Sequence, residues 1–132
     1  MTLEGMRCVA KALWEQMPAG SVVWLSGELG SGKTTFVQVL AEAAGATWAR
    51  SPTFSLVHEY ECPDGVIFHA DCYRLRVPHE ALDLDFPGIL RSARLLFVEW
   101  PDRAGSFAPS ADASLAFFHC DDPAKRLMER VA

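Results

Sequence analysis

The chain has 132 residues, half of them apolar, with 12 basic against 17 acidic side chains and a net charge of −5. That length supports one domain with its own core, and the apolar share excludes a disordered chain. The acidic balance argues against a general nucleic-acid binder, which carries a basic surface, and no apolar run approaches the ~20 residues of a membrane span.

In chain order, Thr2 is placed to cap a first helix with Met6, Val9, Ala10, Leu13 and Met17 on its apolar face. Pro18-Ala19-Gly20 ends it. Val22-Val23-Trp24-Leu25 reads as a buried strand, and Thr34 to Ala44 as a helix with Phe36, Val37, Leu40 and Ala44 at helical spacing and Gly45 as its stop. Ser51-Pro52-Thr53-Phe54 is a rigid polar entry into an extended segment.

Phe54 to Cys72 is expected to form a β-hairpin around Pro63-Asp64-Gly65, a type I turn with glycine in the left-handed position. That three-residue turn pairs Cys62 with Val66, Tyr60 with Phe68, His58 with Ala70 and Leu56 with Cys72. Leu56 and Tyr60 then share a face with Val66, Phe68, Ala70 and Cys72, while His69 points the other way from His58. A slip of one residue inverts this arrangement.

Pro78 opens a short helix through Leu82, and Arg94 to Glu99 is a second buried strand stopped by Pro101. A Gly/Ser/Pro/Ala-rich loop spans Ala104 to Ser110, and Leu115 to Cys120 is a last strand. Beyond Pro123, propensity alone favours helix. There is no internal repeat or linker, so residues 1–132 are expected to be one domain. The four cysteines, Cys8, Cys62, Cys72 and Cys120, form no C-x-x-C pair and are too few for a disulfide scaffold. Met1 to Gly5 carries no basic-then-apolar signal pattern. Reduced thiols and a cytoplasmic location are the expectation.

Chemistry is concentrated between the first strand and the second helix. Gly27-Glu28-Leu29-Gly30-Ser31-Gly32-Lys33-Thr34 spells G-x-x-x-x-G-K-[ST], the phosphate-binding P-loop. The glycines let backbone N–H groups converge on an anion, and the following helix adds the positive end of its dipole. Lys33 is expected to reach the β- and γ-phosphates, and the Thr34 hydroxyl to meet Mg2+. Hydrolysis also calls for a carboxylate near the metal, commonly at the end of a strand beside the P-loop strand. Glu99 and Asp71 both end strands, and their order as metal ligand and water-positioning group stays open. Thr53 is a candidate γ-phosphate sensor in a switch-like loop, and Arg74 a candidate phosphate contact. His58, Cys62, His69 and Cys72 do not make a metal site in the expected hairpin register.

Four blocks resemble one family. Gly27 to Phe36 resembles its G-D/E-L-G-A/S-G-K-T-T-F, and Ser51 to Val57 its S-P-T-F/Y-x-L-V. His69 to Leu75 is similar to H-x-D-x-Y-R-L, and Val98-Glu99-Trp100-Pro101 to V-E-W-P. The family is TsaE, the bacterial ATPase subunit of the machinery that makes N6-threonylcarbamoyladenosine on tRNA. The resemblance implies an α/β fold: a single P-loop NTPase-like domain whose central mixed sheet includes an antiparallel hairpin and is flanked by helices.

It also implies ATP/ADP and Mg2+ as cofactors and TsaD and TsaB as partners, with tRNA met only through them and neither DNA nor membrane involved. By position, Gly27, Gly30, Ser31, Gly32, Lys33, Thr34 and Thr35 would bind the nucleotide with Trp100 beside them. Thr34 and Glu99 would hold the metal, and Lys33, Asp71, Glu99 and Thr53 would serve hydrolysis. The family's short strand ahead of the first helix has no counterpart in these residues, and its C-terminal segment forms strands with an arginine near Lys125-Arg126. Two other readings share the P-loop: a small-molecule kinase, whose arginine lid these scattered arginines do not suggest, and a nucleotide-dependent interaction module with negligible hydrolysis.

Overall fold

A computed structural model describes residues 2–28, 31–50, 56–118 and 127–130. Helix α1 (Leu3–Gln16) starts at Thr2, whose hydroxyl accepts from the Gly5 N–H at 3.1 Å, and it buries Met6, Ala10 and Leu13. Strand β1 (Ser21–Ser26) leads into helix α2 (Lys33–Ala43), which buries Phe36, Val37 and Leu40 and is followed by Gly45 at φ 83°. Strands β2 (Trp48–Arg50), β3 (Val57–Cys62) and β4 (Gly65–Asp71) come next. A 3-10 helix (Pro78–Leu84) and helix α3 (Phe86–Ser92) precede β5 (Ala93–Glu99). Helix α4 (Pro101–Ala104), a 3-10 turn (Gly105–Phe107), β6 (Ala113–Phe118) and β7 (Leu127–Arg130) complete the order. No helix among the described residues is long and apolar enough to cross a membrane.

The strands form one mixed sheet in the order β2-β3-β4-β5-β1-β6-β7. Its centre, β4-β5-β1-β6, is parallel, while β2-β3, β3-β4 and β6-β7 pair antiparallel. Alternation along the central strands divides the core into two layers. Val23, Leu25, Ile67, Leu95, Phe97, Leu115 and Phe117 pack under α1 and α2. Val22, Phe68, Ala70, Leu96 and Val98 pack on the other side with Leu75, Ala81, Phe86 and Ala104. The C-terminal strand agrees with the family resemblance, not with helix propensity, because pairing with β6 satisfies its backbone and outweighs a weak local preference.

The hairpin corrects the expected register. Cys62 pairs with Gly65, Tyr60 with Ile67, His58 with His69 and Val57 with Ala70, so the turn has two residues, Pro63 and Asp64, not three. The β3 faces are therefore inverted: Tyr60 and His58 lie with Ile67 and His69. Hydrophobic pattern could not decide this. Ile67, Phe68, His69 and Ala70 are all buried, so β4 offers apolar surface on both faces. At the turn Gly65 sits at φ 134°, and a Cβ there would lie 2.9 Å from the Arg94 Cβ. Helix α3 was also not read from the sequence, although Asp85 caps it by accepting from the Gly88 N–H at 3.2 Å and Pro87 lies in its first turn.

Candidate functional site

The site forms where the carboxyl ends of β4, β5 and β1 meet. Leu25 of β1 lies beside Glu99 of β5, and Glu99 beside Asp71 of β4. Glu99 thus ends the strand next to the P-loop strand, and Asp71 lies one strand further out. Both extend the alternation that places Ile67, Leu95 and Phe97 under α2, so their side chains leave the sheet on the P-loop side.

Glycine backbone stands at both described ends of the loop. Gly27 sits at φ 138°, where a Cβ would meet the Phe117 carbonyl oxygen and lie 2.8 Å from Ser31 Oγ. Gly32 caps α2 in a left-handed conformation at φ 108° and offers no side-chain cap, leaving the first-turn N–H groups to an incoming anion. Ser31 is 1% exposed, and its Oγ has no hydrogen-bond partner. A buried hydroxyl without a partner, beside a glycine whose side chain would fill the space, fits an oxygen-rich ligand. Gly27→Ala is accordingly expected to lower stability by about 1–3 kcal/mol or more through left-handed strain and crowding. Denaturant unfolding, read beside nucleotide binding, checks this.

Of the five buried polar or charged side chains among the described residues, four are Ser31, Lys33, His69 and Glu99. Such groups are costly inside a protein unless paired, so their concentration at one place marks a built site. Lys33 Nζ donates to the Gly27 carbonyl at 2.5 Å and lies 4.0 Å from Glu99 Oε1. His69 Nε2 is hydrogen-bonded to Glu99 Oε2 at 2.8 Å, the imidazole N–H donating to the carboxylate oxygen. The ammonium of Lys33 also lies 4.6 Å from the centroid of the Trp100 ring.

Trp100 itself is in the left-handed region at φ 53°, ψ 51°, directly before Pro101. A bulky residue is rare there and the conformation costs roughly 1–2 kcal/mol. It holds the indole over Lys33, with Tyr73 packed on it at 5.1 Å and the Arg103 guanidinium 6.0 Å away. Asp71 is half-buried, and its Oδ1 accepts from the Tyr73 N–H at 3.0 Å.

The structure therefore brings together Gly27, Ser31, Gly32, Lys33, Glu99 and Trp100, with Asp71 at the neighbouring strand end. Thr34 is exposed and Thr35 half-buried in the first turn of α2. Arg74 is exposed. Gly30, Thr53, Lys125, Arg126 and Cys120 lie outside the described residues, as does the Ser51 to Ser55 block. Sequence reasoning missed His69 as the partner of Glu99. Its signal was available: one ionisable side chain inside the apolar run Val66-Ile67-Phe68-His69-Ala70.

The two histidines share a face after all, with ring centroids 5.8 Å apart. Burial, and next the neighbouring His69, holds the His58 pKa below the usual value. Cys72 stands on the opposite face, and burial pushes its thiol up to about 12, so it is neither a ready nucleophile nor a ready metal ligand. Among the described residues no cluster of three or more His, Cys, Asp or Glu side chains gathers as a metal centre. Glu99 is buried beside the loop and Thr34 is exposed in the first turn of α2; both carry hard oxygen donors of the kind Mg2+ takes.

Comparison with known proteins points to one family. A family model described as threonylcarbamoyl adenosine biosynthesis protein TsaE matches residues 1–128. The tRNA threonylcarbamoyladenosine biosynthesis protein TsaE of Haemophilus influenzae is 34% identical over 105 residues, covering 76% of this chain and 65% of that protein. Its Aquifex aeolicus counterpart is 40% identical over 98 residues, covering 72% of this chain and 68% of that protein. The chain thus spans about two thirds of the length of these relatives. The crystal structure of Bacillus subtilis YdiB superposes with a TM-score of 0.74 at 24% identity, over 98% of this chain and 80% of that one, which shows a shared fold.

Proposed function

Because this chain belongs to the TsaE family of tRNA threonylcarbamoyladenosine biosynthesis proteins, we propose that it is a cytoplasmic P-loop ATPase that drives this tRNA modification together with TsaB and TsaD. The observation that carries the reading is the buried Lys33–Glu99–His69 cluster behind the Gly27-to-Thr34 loop. A cation, a carboxylate and a helix N-terminus converge there, at the carboxyl ends of parallel strands.

In this reading the loop amides and Lys33 hold the β- and γ-phosphates, with Lys33 exchanging the Gly27 carbonyl for phosphate oxygen. Ser31 Oγ gains the partner it lacks. Thr34 and Glu99 would hold Mg2+, which would neutralise charge developing on the phosphates. Asp71, at the adjacent strand end, orients the attacking water, and Trp100 closes one wall of the site against solvent. Thr53 senses the γ-phosphate. The acidic chain leaves tRNA to its partners, which fits its net charge of −5.

Phosphate release from ATP, measured with the chain alone and then with TsaB and TsaD, tests the proposal. Turnover is expected to rise with the partners and to fall in Lys33→Ala and Glu99→Ala. An activity indifferent to both the partners and the substitutions would sink it. Phosphate appearing on a small acceptor would point to a kinase, and tight nucleotide binding without turnover to an interaction module.

A further inference from the structure

His69 is 2% exposed on a strand whose neighbouring residues, Ile67, Phe68 and Ala70, are apolar. A buried imidazole is a poorer core residue than leucine unless its polar atoms are bonded. Packing alone therefore does not account for it. Its Nε2 donates to Glu99 Oε2 at 2.8 Å, while the other oxygen, Oε1, faces Lys33 Nζ at 4.0 Å. The terminal torsion of a glutamate is broad and roughly two-fold. Anchoring one oxygen removes that freedom and assigns the other to the P-loop side.

The imidazole is itself held. His69 and Phe97 are paired on the parallel strands β4 and β5, two residues before Asp71 and Glu99. On the other side, the His58 ring of β3 lies 5.8 Å from it at 35°. The two-residue turn of the hairpin is what puts His58 there.

We infer that His69 is a positioning residue for Glu99. By fixing Oε2 it presents Oε1 to a magnesium–nucleotide complex and sets how tightly that complex, as distinct from the nucleotide alone, is bound. The inference rests on the nucleotide reading above.

The test uses the full chain and its His69→Leu and His69→Gln variants. Leucine keeps the volume and removes the donor, whereas the glutamine amide restores an N–H near the position of Nε2. A fluorescent N-methylanthraniloyl ADP is titrated without Mg2+, and Mg2+ is then titrated at fixed nucleotide. In His69→Leu the Mg2+ midpoint is expected to rise about tenfold to a hundredfold while affinity without Mg2+ holds, because removing a partner of a metal-binding carboxylate acts on the metal. His69→Gln is expected to recover most of the shift.

A wild-type midpoint in His69→Leu would overturn the inference. So would equal weakening with and without Mg2+, the mark of a structural role. Should His69→Leu not fold, His69→Asn replaces it. Its shorter amide cannot span to Oε2, so equal midpoints for the asparagine and glutamine variants overturn the inference too. A wild-type chain that binds the probe without any Mg2+ dependence would instead overturn the nucleotide–magnesium reading beneath it.

Discussion

Lys33→Ala is expected to abolish productive nucleotide binding. Lys33 is the buried cation of the site, 4% exposed, and in the P-loop reading it makes charge-assisted hydrogen bonds to two phosphate groups. Hydrogen bonds to charged groups contribute about 1.5–3 kcal/mol each, so affinity for ADP or ATP should fall roughly a hundredfold or more. The variant also leaves Glu99 buried with His69 as its remaining ionisable contact. Breaking a buried pair by removing one member costs about 3–5 kcal/mol when the pair is tight. At 4.0 Å, with Lys33 also bonded to the Gly27 carbonyl, the loss should fall below that range. Isothermal titration with ADP and denaturant unfolding read the two effects separately. Unchanged nucleotide affinity would exclude Lys33 from the phosphate site.

Glu99→Gln is expected to separate binding from turnover. Glutamine keeps the shape and can still accept from His69 Nε2 through its amide oxygen, so the fold and the phosphate cradle should persist. The charge that would meet Mg2+ is gone. Removing one preorganised electrostatic contact from a site of this kind lowers kcat about 10²–10³-fold. Nucleotide binding without Mg2+ should hold or strengthen slightly, because Lys33 loses its nearby anion and turns more fully to phosphate. Single-turnover phosphate release from ATP, beside ADP affinity with and without Mg2+, checks both halves. A variant that hydrolyses at the wild-type rate would transfer the metal role to another acid, with Asp71 the next to test.

These two substitutions probe the part of the protein most visible in its sequence. The P-loop is a local device: glycines at set positions, a lysine and a hydroxyl residue, between a strand and a helix. All of its requirements lie within a dozen residues, so its reading needed no tertiary contact. The N-terminal helix, its Thr2 cap and the strands ending in Asp71 and Glu99 were legible for the same reason, since capping and apolar runs are properties of neighbouring residues. The short helix α3 carried comparable signals in Asp85 and Pro87, and was passed over because seven residues are too few to show a periodic apolar face.

Contacts between distant segments had to come from the structure. The hairpin register could not be read from β4, which lies between β3 and β5 and is buried on both faces. The order of the two acids turned on β5, not β4, lying beside β1. Trp100 was visible as a residue but not as a roof over Lys33, because its left-handed backbone before a proline runs against local preference. The bond from His69 to Glu99 joins residues thirty apart. By itself the sequence determined the P-loop motif and the carboxylates at the strand ends, because those depend on residue type and short spacing. Only the tertiary structure decided which carboxylate stands beside the P-loop lysine and what holds it there, because strand order and register are set by packing across the whole sheet.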